Sequence, residues 1–463
     1  MILTKEYIQL CKKDGNIDTL IHKNMDNIKN ISFILENLGY LSSSFNYESI
    51  EYLMNSDSEK VRSLVIKNLS KINNTDLFLK IKNYFLSDIS SLVRRECISA
   101  IGRMRKKEHI PFLISILQDE DPKIASQAIR GLLVFKGDYT VDMELKRLKL
   151  HKNEMIKKII NKEYFSSENK DKKNFLSHSH VHNYLKNVIV NSDVLEVFKL
   201  IKDESFHLTF TSPPYYNARD YSIYSSYDDY LDFLENVFLE TYRTTKEGRF
   251  LIVNTSPIII PRISRSHSSK RYPIPFDLHN RLTKIGWEFV DDIVWMKPEY
   301  SVKNRIGGFQ QHRKPLAYKP NSVTEYLMVY RKSTDKLLDW NMKQYSADII
   351  NKSKVVDGFE TTNVWQINPK SDKVHSAVFP AELCKRVIEY YSYKGDVIFD
   401  PFAGSGTLGR TAKYLDRYFF LTEKDEKYFK YMKMLQQKDM LSIDKQTKFL
   451  TLIQFKGLAY ENN

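Results

Sequence analysis

A parallel α/β sheet with helices on both faces, preceded by an all-α solenoid of helical repeats, is the fold class this sequence predicts. Three observations lead there. Segments of the first third superpose with their apolar residues in register at a period near 31 residues. From about residue 182 onward, short apolar runs alternate with amphipathic segments, the strand–helix order that builds a parallel sheet. Two of those apolar runs end in strings that suggest a site, TSPPYY at 211–216 and DPFAGSGT at 400–407.

The repeats come first in the chain. DSEKVRSLVIKNLSKI from Asp57, DISSLVRRECISAIGRM from Asp88 and DPKIASQAIRGLLVF from Asp121 align so that Val61, Val93 and Ile124 coincide. Val65, Cys97 and Ala128 coincide next, then Leu69, Ile101 and Leu132. Steps of four within each copy are helical, so each set is the buried stripe of one helix. Asp57, Asp88 and Asp121 are expected near the helix starts, where a short acidic side chain caps free N–H groups. Intervening segments such as LFLKIKNYFL complete helix pairs. The pattern resembles HEAT repeats, whose Val-Arg helix start appears in Val61-Arg62 and Val93-Arg94, while the third copy departs with Ile124-Ala125. Such a solenoid presents an extended surface, and the bland expectation is a docking scaffold whose partner is unknown.

Residues 1–150 are therefore assigned to the helical repeats. From 151 to 180 the texture turns to Lys, Asn, Ser and His, which reads as a linker. His178, His180 and His182 alternate there, but no Cys or carboxylate cluster completes a metal site, so no metal is expected. The α/β domain is assigned to 181–463.

Its elements follow in order: strand VIVNSD ending near Asp193, helix VLEVFKLIKDES, strand FHLTF running into TSPPYY, helix YLDFLENVFLETY and strand RFLIVN. Much further on, DVIFD ends at Asp400 and is followed by a Gly-rich turn with Gly404 and Gly406, then a helix, then RYFFLTE closing on Glu423. Parallel sheets bind ligands at the carboxyl ends of their strands. A Gly-rich turn lets the backbone approach a ligand, and an acid at the next strand end suits ribose hydroxyls.

TSPPY and DPFAGSGT, in this order, resemble the beta arrangement of the amino-group DNA methyltransferases, over roughly residues 182–435. The resemblance implies a Rossmann-like methyltransferase sheet and S-adenosylmethionine as cofactor. It further implies that Asp193, His375, Phe379, Pro380, Asp400, Phe402, Ala403, Gly404, Ser405, Gly406 and Glu423 bind that cofactor. Ser212, Pro213, Pro214 and Tyr215 are the implied catalytic residues. An exocyclic amine is a poor nucleophile until acceptors pull on its N–H groups. The Ser212 hydroxyl and the Pro213 carbonyl are the expected acceptors, the prolines stiffen the loop, and Tyr215 offers a face for an extruded base. Tyr216 is expected to pack. Lys394 stands where Pro is common before Gly395, and Thr324 where His is common before Glu325; neither substitution is expected to touch the chemistry.

Composition bears on the substrate. The chain has 463 residues, with 71 Lys+Arg against 57 Asp+Glu and a net charge of +14, which favours a polyanionic partner, here double-stranded DNA. Two basic irregular stretches supply candidate DNA contacts: Arg262, Arg265, Lys270 and Arg271, then Arg305, Gln310, Gln311 and Arg313. A target-recognition region is expected around 299–365. Of the three cysteines, Cys11, Cys97 and Cys384, none sits where methylation of ring carbon five of cytosine would need a nucleophile. Ser at the first motif position resembles the enzymes acting on cytosine N4, with adenine N6 as the alternative and a catalytically silent DNA- or protein-binding scaffold as the rival from another class. A restriction-modification setting with a cognate endonuclease is implied by the resemblance alone. With no apolar stretch near the roughly 20 residues of a membrane span, a cytoplasmic setting is expected.

Overall fold

The computed structural model describes residues 3–72, 76–165, 178–216, 224–260, 264, 266, 269–302, 315–316, 320–356, 358–370, 379–438 and 447–461. The chain divides into two compact units, 1–171 and 172–463.

The first unit is helical. Helices Glu59–Leu69, Ser91–Met104 and Pro122–Leu132 carry the three stripes read from the sequence, and all nine stripe residues are buried in one core. Two of the expected acidic caps are corrected. Ser58 and Ser90 cap the first two helices, accepting from the Val61 and Val93 N–H groups, and only Asp121 caps as expected, accepting from Lys123 N at 2.8 Å. Asp88 instead takes two bonds from the Arg62 guanidinium, at 2.7 and 3.0 Å, and Asp119 takes one from Arg94 at 2.9 Å. The Arg of each Val-Arg start thus reaches an acid that precedes the next repeat. At the second helix this leaves the hydroxyl of Ser90 for the cap. Helix Glu154–Ile160 extends this unit into the 151–180 stretch read as linker. Its Ile156 and Ile160 are buried, an i, i+4 pair that the surrounding lysines hide from a composition reading.

The second unit is built on a nine-stranded sheet. Its strands, with one additional hairpin, are β1 (Val188–Asn191), β2 (Phe206–Thr211), β3 (Thr245–Thr255), β4 (Ile258–Ile260), β5 (Lys270–Tyr272), β6 (Trp287–Met296), β7 (Thr324–Lys332), β8 (Val364–Gln366), β9 (Val397–Asp400), β10 (Tyr418–Glu423) and β11 (Lys448–Thr451). The sheet order is β11-β1-β10-β9-β2-β3-β7-β6-β8, and β4 and β5 pair apart from it as an antiparallel hairpin. From β11 to β3 all neighbours are parallel, and β7 runs antiparallel to both β3 and β6.

Burial follows from that order. Phe206, Leu208 and Phe210 of β2 and Val397, Ile398 and Phe399 of β9 are buried on both faces, as near-continuous apolar runs in a central parallel sheet should be. Their side chains divide between two cores, with Phe206 and Phe399 stacked at 4.4 Å on one face.

The amino-terminal end of this sheet holds a buried polar cluster. Asp396, just before β9, is paired with Arg249, takes the Tyr345 hydroxyl at 2.6 Å and the Tyr393 N–H at 2.8 Å, and lies 3.6 Å from His207 Nε2. Arg249 holds the Asp396 carboxyl below its usual range against the cost of burial. The carbonyl of His178, from the alternating histidines, meets His207 Nε2 at 2.6 Å, and that of His180 accepts from Lys246 at 3.0 Å. Those histidines therefore fasten the chain to the sheet. Among the described residues no group of His, Cys, Asp and Glu could hold a metal. Tyr345 and Asn341, from the stretch assigned to target recognition, are buried at this same end, Asn341 donating to the Gly248 carbonyl at 2.9 Å.

Candidate functional site

The two chemistry-bearing strings meet because β2 and β9 are neighbours. Leu208 pairs with Ile398 and Thr209 with Phe399, so Thr211 and Asp400 end their strands side by side. Thr211 Oγ1 donates to Asp400 Oδ1 at 2.6 Å, and Phe402 N donates to the same oxygen at 3.0 Å. Asp400 is 2% exposed, and burial pushes its carboxyl up to about 7.

The Gly-rich turn is held from below. Ala403 N donates to the Thr422 carbonyl at 3.0 Å and Gly406 N to the Ala403 carbonyl at 2.8 Å. Gly406 opens helix Thr407–Tyr414 at φ +71°, the left-handed region that favours glycine. A Cβ there would lie 2.6 Å from Met432 Sδ and 2.9 Å from its Cγ, so any larger residue would force the Met432 side chain to shift. Ser405 is buried, its hydroxyl 3.2 Å from that of Thr407. Phe402 packs near Phe233, and Phe379 stacks on Phe210 at 4.5 Å just before Pro380, which opens helix Ala381–Tyr391.

Glu423 closes β10 beside this turn. One carboxylate oxygen accepts from Gly404 N at 2.7 Å and the other from Asp425 N at 2.8 Å, and burial pushes the group up to about 7. Each oxygen keeps a second lone pair, the pair of acceptors to which the two hydroxyls of a ribose diol would donate. The open Gly-rich backbone and this acid fit a nucleoside-bearing cofactor. Asp193 follows β1, caps helix Val194–Phe198 through Leu195 N at 3.0 Å, and meets Lys424 at 3.1 Å. Asn191 Nδ2 donates to the Glu423 carbonyl at 2.8 Å, drawing the ends of β1 and β10 together.

On the other side, the TSPPYY loop leaves β2. Pro213 is buried, while Ser212, Pro214 and Tyr215 are partly exposed. Tyr216 is buried among Tyr227, Tyr230 and Tyr272, at ring distances of 5.4, 5.7 and 5.0 Å. Tyr272 lies on β5, so the β4–β5 hairpin stands beside the loop with Lys270 and Arg271 exposed on it. His375, Arg262, Arg265, Arg305, Gln310, Gln311 and Arg313 lie outside the described residues.

One group was missed by reading the sequence. Glu325, at the start of β7, receives Asn254 Nδ2 from β3 at 2.6 Å, is paired with Lys297 after β6, and takes the Tyr215 hydroxyl at 3.4 Å. The antiparallel return of β7 puts its beginning at the carboxyl ends of the parallel strands, which neither periodicity nor spacing reveals. Cys384 is buried in helix Ala381–Tyr391, and burial raises its thiol far above the range of a reactive thiolate.

Residues 206–434 match the DNA methylase family of N6/N4 type, and residues 48–133 match HEAT repeats. The chain thus carries a DNA methylase domain, with HEAT repeats ahead of it. Among its relatives are the type II beta methyltransferase M.BslI of Bacillus sp. (strain NEB-606), 30% identical over 47% of this chain and 24% of that protein, and M.MwoI of Methanothermobacter wolfeii, 27% identical over 58% and 34%. The chain thus spans a quarter to a third of the length of these two. M.Cfr9I of Citrobacter freundii is 28% identical over 52% of this chain and 84% of its own. The solved PvuII DNA methyltransferase (cytosine-N4-specific) aligns with a TM-score of 0.41 at 18% identity, over 60% of this chain and 92% of that one.

Proposed function

We propose that the protein transfers a methyl group from S-adenosylmethionine to an exocyclic amine of a base in double-stranded DNA, and that the amine is N4 of cytosine. The observation that carries this reading is the Thr211–Asp400 bond, which ties the strand of the TSPPY loop to the strand of the Gly-rich loop, 189 residues apart in sequence.

The donor, when bound, supplies a methyl group activated on a sulfonium sulfur. The Gly404–Gly406 turn leaves room for it, Glu423 accepts from its ribose, and Asp193, His375, Phe379, Pro380, Asp400, Phe402, Ala403 and Ser405 are assigned to the same site. Ser212 Oγ and the Pro213 carbonyl accept from the target amine, so that its lone pair leaves conjugation with the ring and can displace the sulfur. Pro213 and Pro214 limit the loop's freedom, and the Tyr215 ring receives the base once it leaves the duplex. Lys270 and Arg271, on the hairpin beside the loop, suit backbone phosphates, and Arg262, Arg265, Arg305, Gln310, Gln311 and Arg313 complete the proposed DNA contacts. Ser212 favours cytosine over adenine. A restriction-modification setting, with an endonuclease of the same specificity, fits the type II relatives.

Incubating the chain with DNA and methyl-labelled donor, followed by digestion to nucleosides, tests this. Label in N4-methylcytosine is the expected result, label in N6-methyladenine would revise the base, and no labelled nucleoside would overturn the reading.

A further inference from the structure

The Tyr215 hydroxyl has a role apart from its ring. It lies at 3.4 Å from Glu325 Oε2 and in hydrogen-bonding reach of the Ser212 and Ser256 hydroxyls. Glu325 in turn is held by the Asn254 amide at 2.6 Å and by Lys297, with the two ion-pair side chains only 16% and 17% exposed. Lys297 also sits over the Trp295 ring at 4.4 Å, which fixes it on the β6 side. Ser212, Tyr215 and Glu325 therefore form one chain of polar groups that begins at the proposed acceptor of the target amine and ends on an anchored ion pair.

A serine hydroxyl carries one proton and two lone pairs, and its rotor is free to point either at an incoming amine. To accept from an N–H group, Ser212 must send its own proton elsewhere. A carboxylate is an acceptor only, so Glu325 draws the Tyr215 proton toward itself and leaves the Tyr215 oxygen to receive the Ser212 proton. Lys297 and Asn254 donate to Glu325 and keep it oriented. The polarity of the chain then runs one way, with the Ser212 lone pairs facing the base. Its charged end strengthens each link, as charge-assisted bonds in a partly buried site do.

We propose that Glu325, through the Tyr215 hydroxyl, is a positioning residue that fixes Ser212 as an acceptor for the target amine. No proton moves during the displacement itself; the extra N–H proton of the methylated amine is released to water afterwards. The amine lone pair forms the new nitrogen–carbon bond, the carbon–sulfur bond breaks with its electrons to sulfur, and positive charge developing on nitrogen is what the oriented Ser212 oxygen stabilises. The inference rests on the transfer reaction proposed above.

The test is steady-state kinetics on bacteriophage DNA lacking methylated bases, with labelled S-adenosylmethionine. Tyr215→Phe keeps the ring face and removes the relay, and Glu325→Gln keeps the shape but lets an amide donate back toward Tyr215, which can reverse the chain. Each is expected to lower kcat roughly tenfold, the loss of one net hydrogen bond in the transition state, with both KM values unchanged. Because the two act in series, the double variant is expected to be no slower than the slower single one. A roughly hundredfold loss in the double variant, as independent roles would give, overturns the proposal. So does wild-type kcat in Tyr215→Phe, or a loss carried by KM or by a lowered melting temperature instead of kcat. An inactive wild-type chain would be a different failure, that of the transfer reaction itself.

Discussion

Gly406→Ala tests whether the Gly-rich turn is shaped as the packing indicates. At φ +71° an L-residue costs about 1–2 kcal/mol through its Cβ and the following carbonyl. The new methyl would also lie 2.6 Å from Met432 Sδ and 2.9 Å from its Cγ. Met432 is 2% exposed, so it has little free space to move into, and overpacking of this kind costs about 1–3 kcal/mol. The two add to roughly 2–5 kcal/mol, toward the lower end because a thioether side chain is adaptable. Urea unfolding of the full chain, followed by tyrosine and tryptophan fluorescence, measures the loss in the second unit. Repeating it in a Met432→Ala background separates the causes, since the clash disappears and only the backbone cost of about 1–2 kcal/mol should persist. An equal penalty in both backgrounds would refute the packing argument. No penalty in either would refute the left-handed turn as well.

Other consequences are as specific. Burial holds Asp400 and Glu423 protonated up to about 7, whereas unfolded they ionise near their ordinary values of about 4. The native state then binds more protons than the unfolded one across that interval, so their contribution makes stability fall as pH rises from about 4 to about 7 and level off above it. Urea midpoints of Asp400→Asn should lose part of that slope. Ribose hydroxyls favour ionised Glu423, so donor affinity by calorimetry should weaken as pH drops below about 7, and Glu423→Gln should flatten the profile. Asp396→Asn leaves the Arg249 charge buried and unpaired at the far end of the sheet and should destabilise the second unit by about 3–5 kcal/mol in the same unfolding assay. Cys384→Ala should leave kcat within about twofold, because a buried, protonated thiol is no nucleophile and direct displacement by the amine needs none.

What the sequence reveals depends on whether the signal is local. The β2, β9 and β10 runs and the repeat helices were legible because burial writes a period of two, a continuous apolar run or a step of four into a short window. Strands β8 and β11 were not, being edge strands of three and four residues with mixed burial. TSPPYY and the Gly-rich turn could be found as strings, and their adjacency followed only from ligand sites lying at strand ends. The Thr211–Asp400 bond and the Glu325 group depend on sheet order and on the reversed direction of β7, which no window contains. The helix caps are ambiguous in sequence for a simpler reason: Asp and Ser stand close together before those helices, and at the second one it is the long-range Arg62–Asp88 pair that leaves the cap to Ser90.

The central claim is that Ser212, beside the Gly-rich loop, activates a base amine for methyl transfer. Its most direct test is nucleoside analysis after incubating DNA with methyl-labelled S-adenosylmethionine and either the wild-type chain or Ser212→Ala. Labelled N4-methylcytosine is expected from the wild type, and at least about a tenfold lower rate from Ser212→Ala with donor binding intact. Labelled nucleoside formed equally fast by both proteins would contradict the claim.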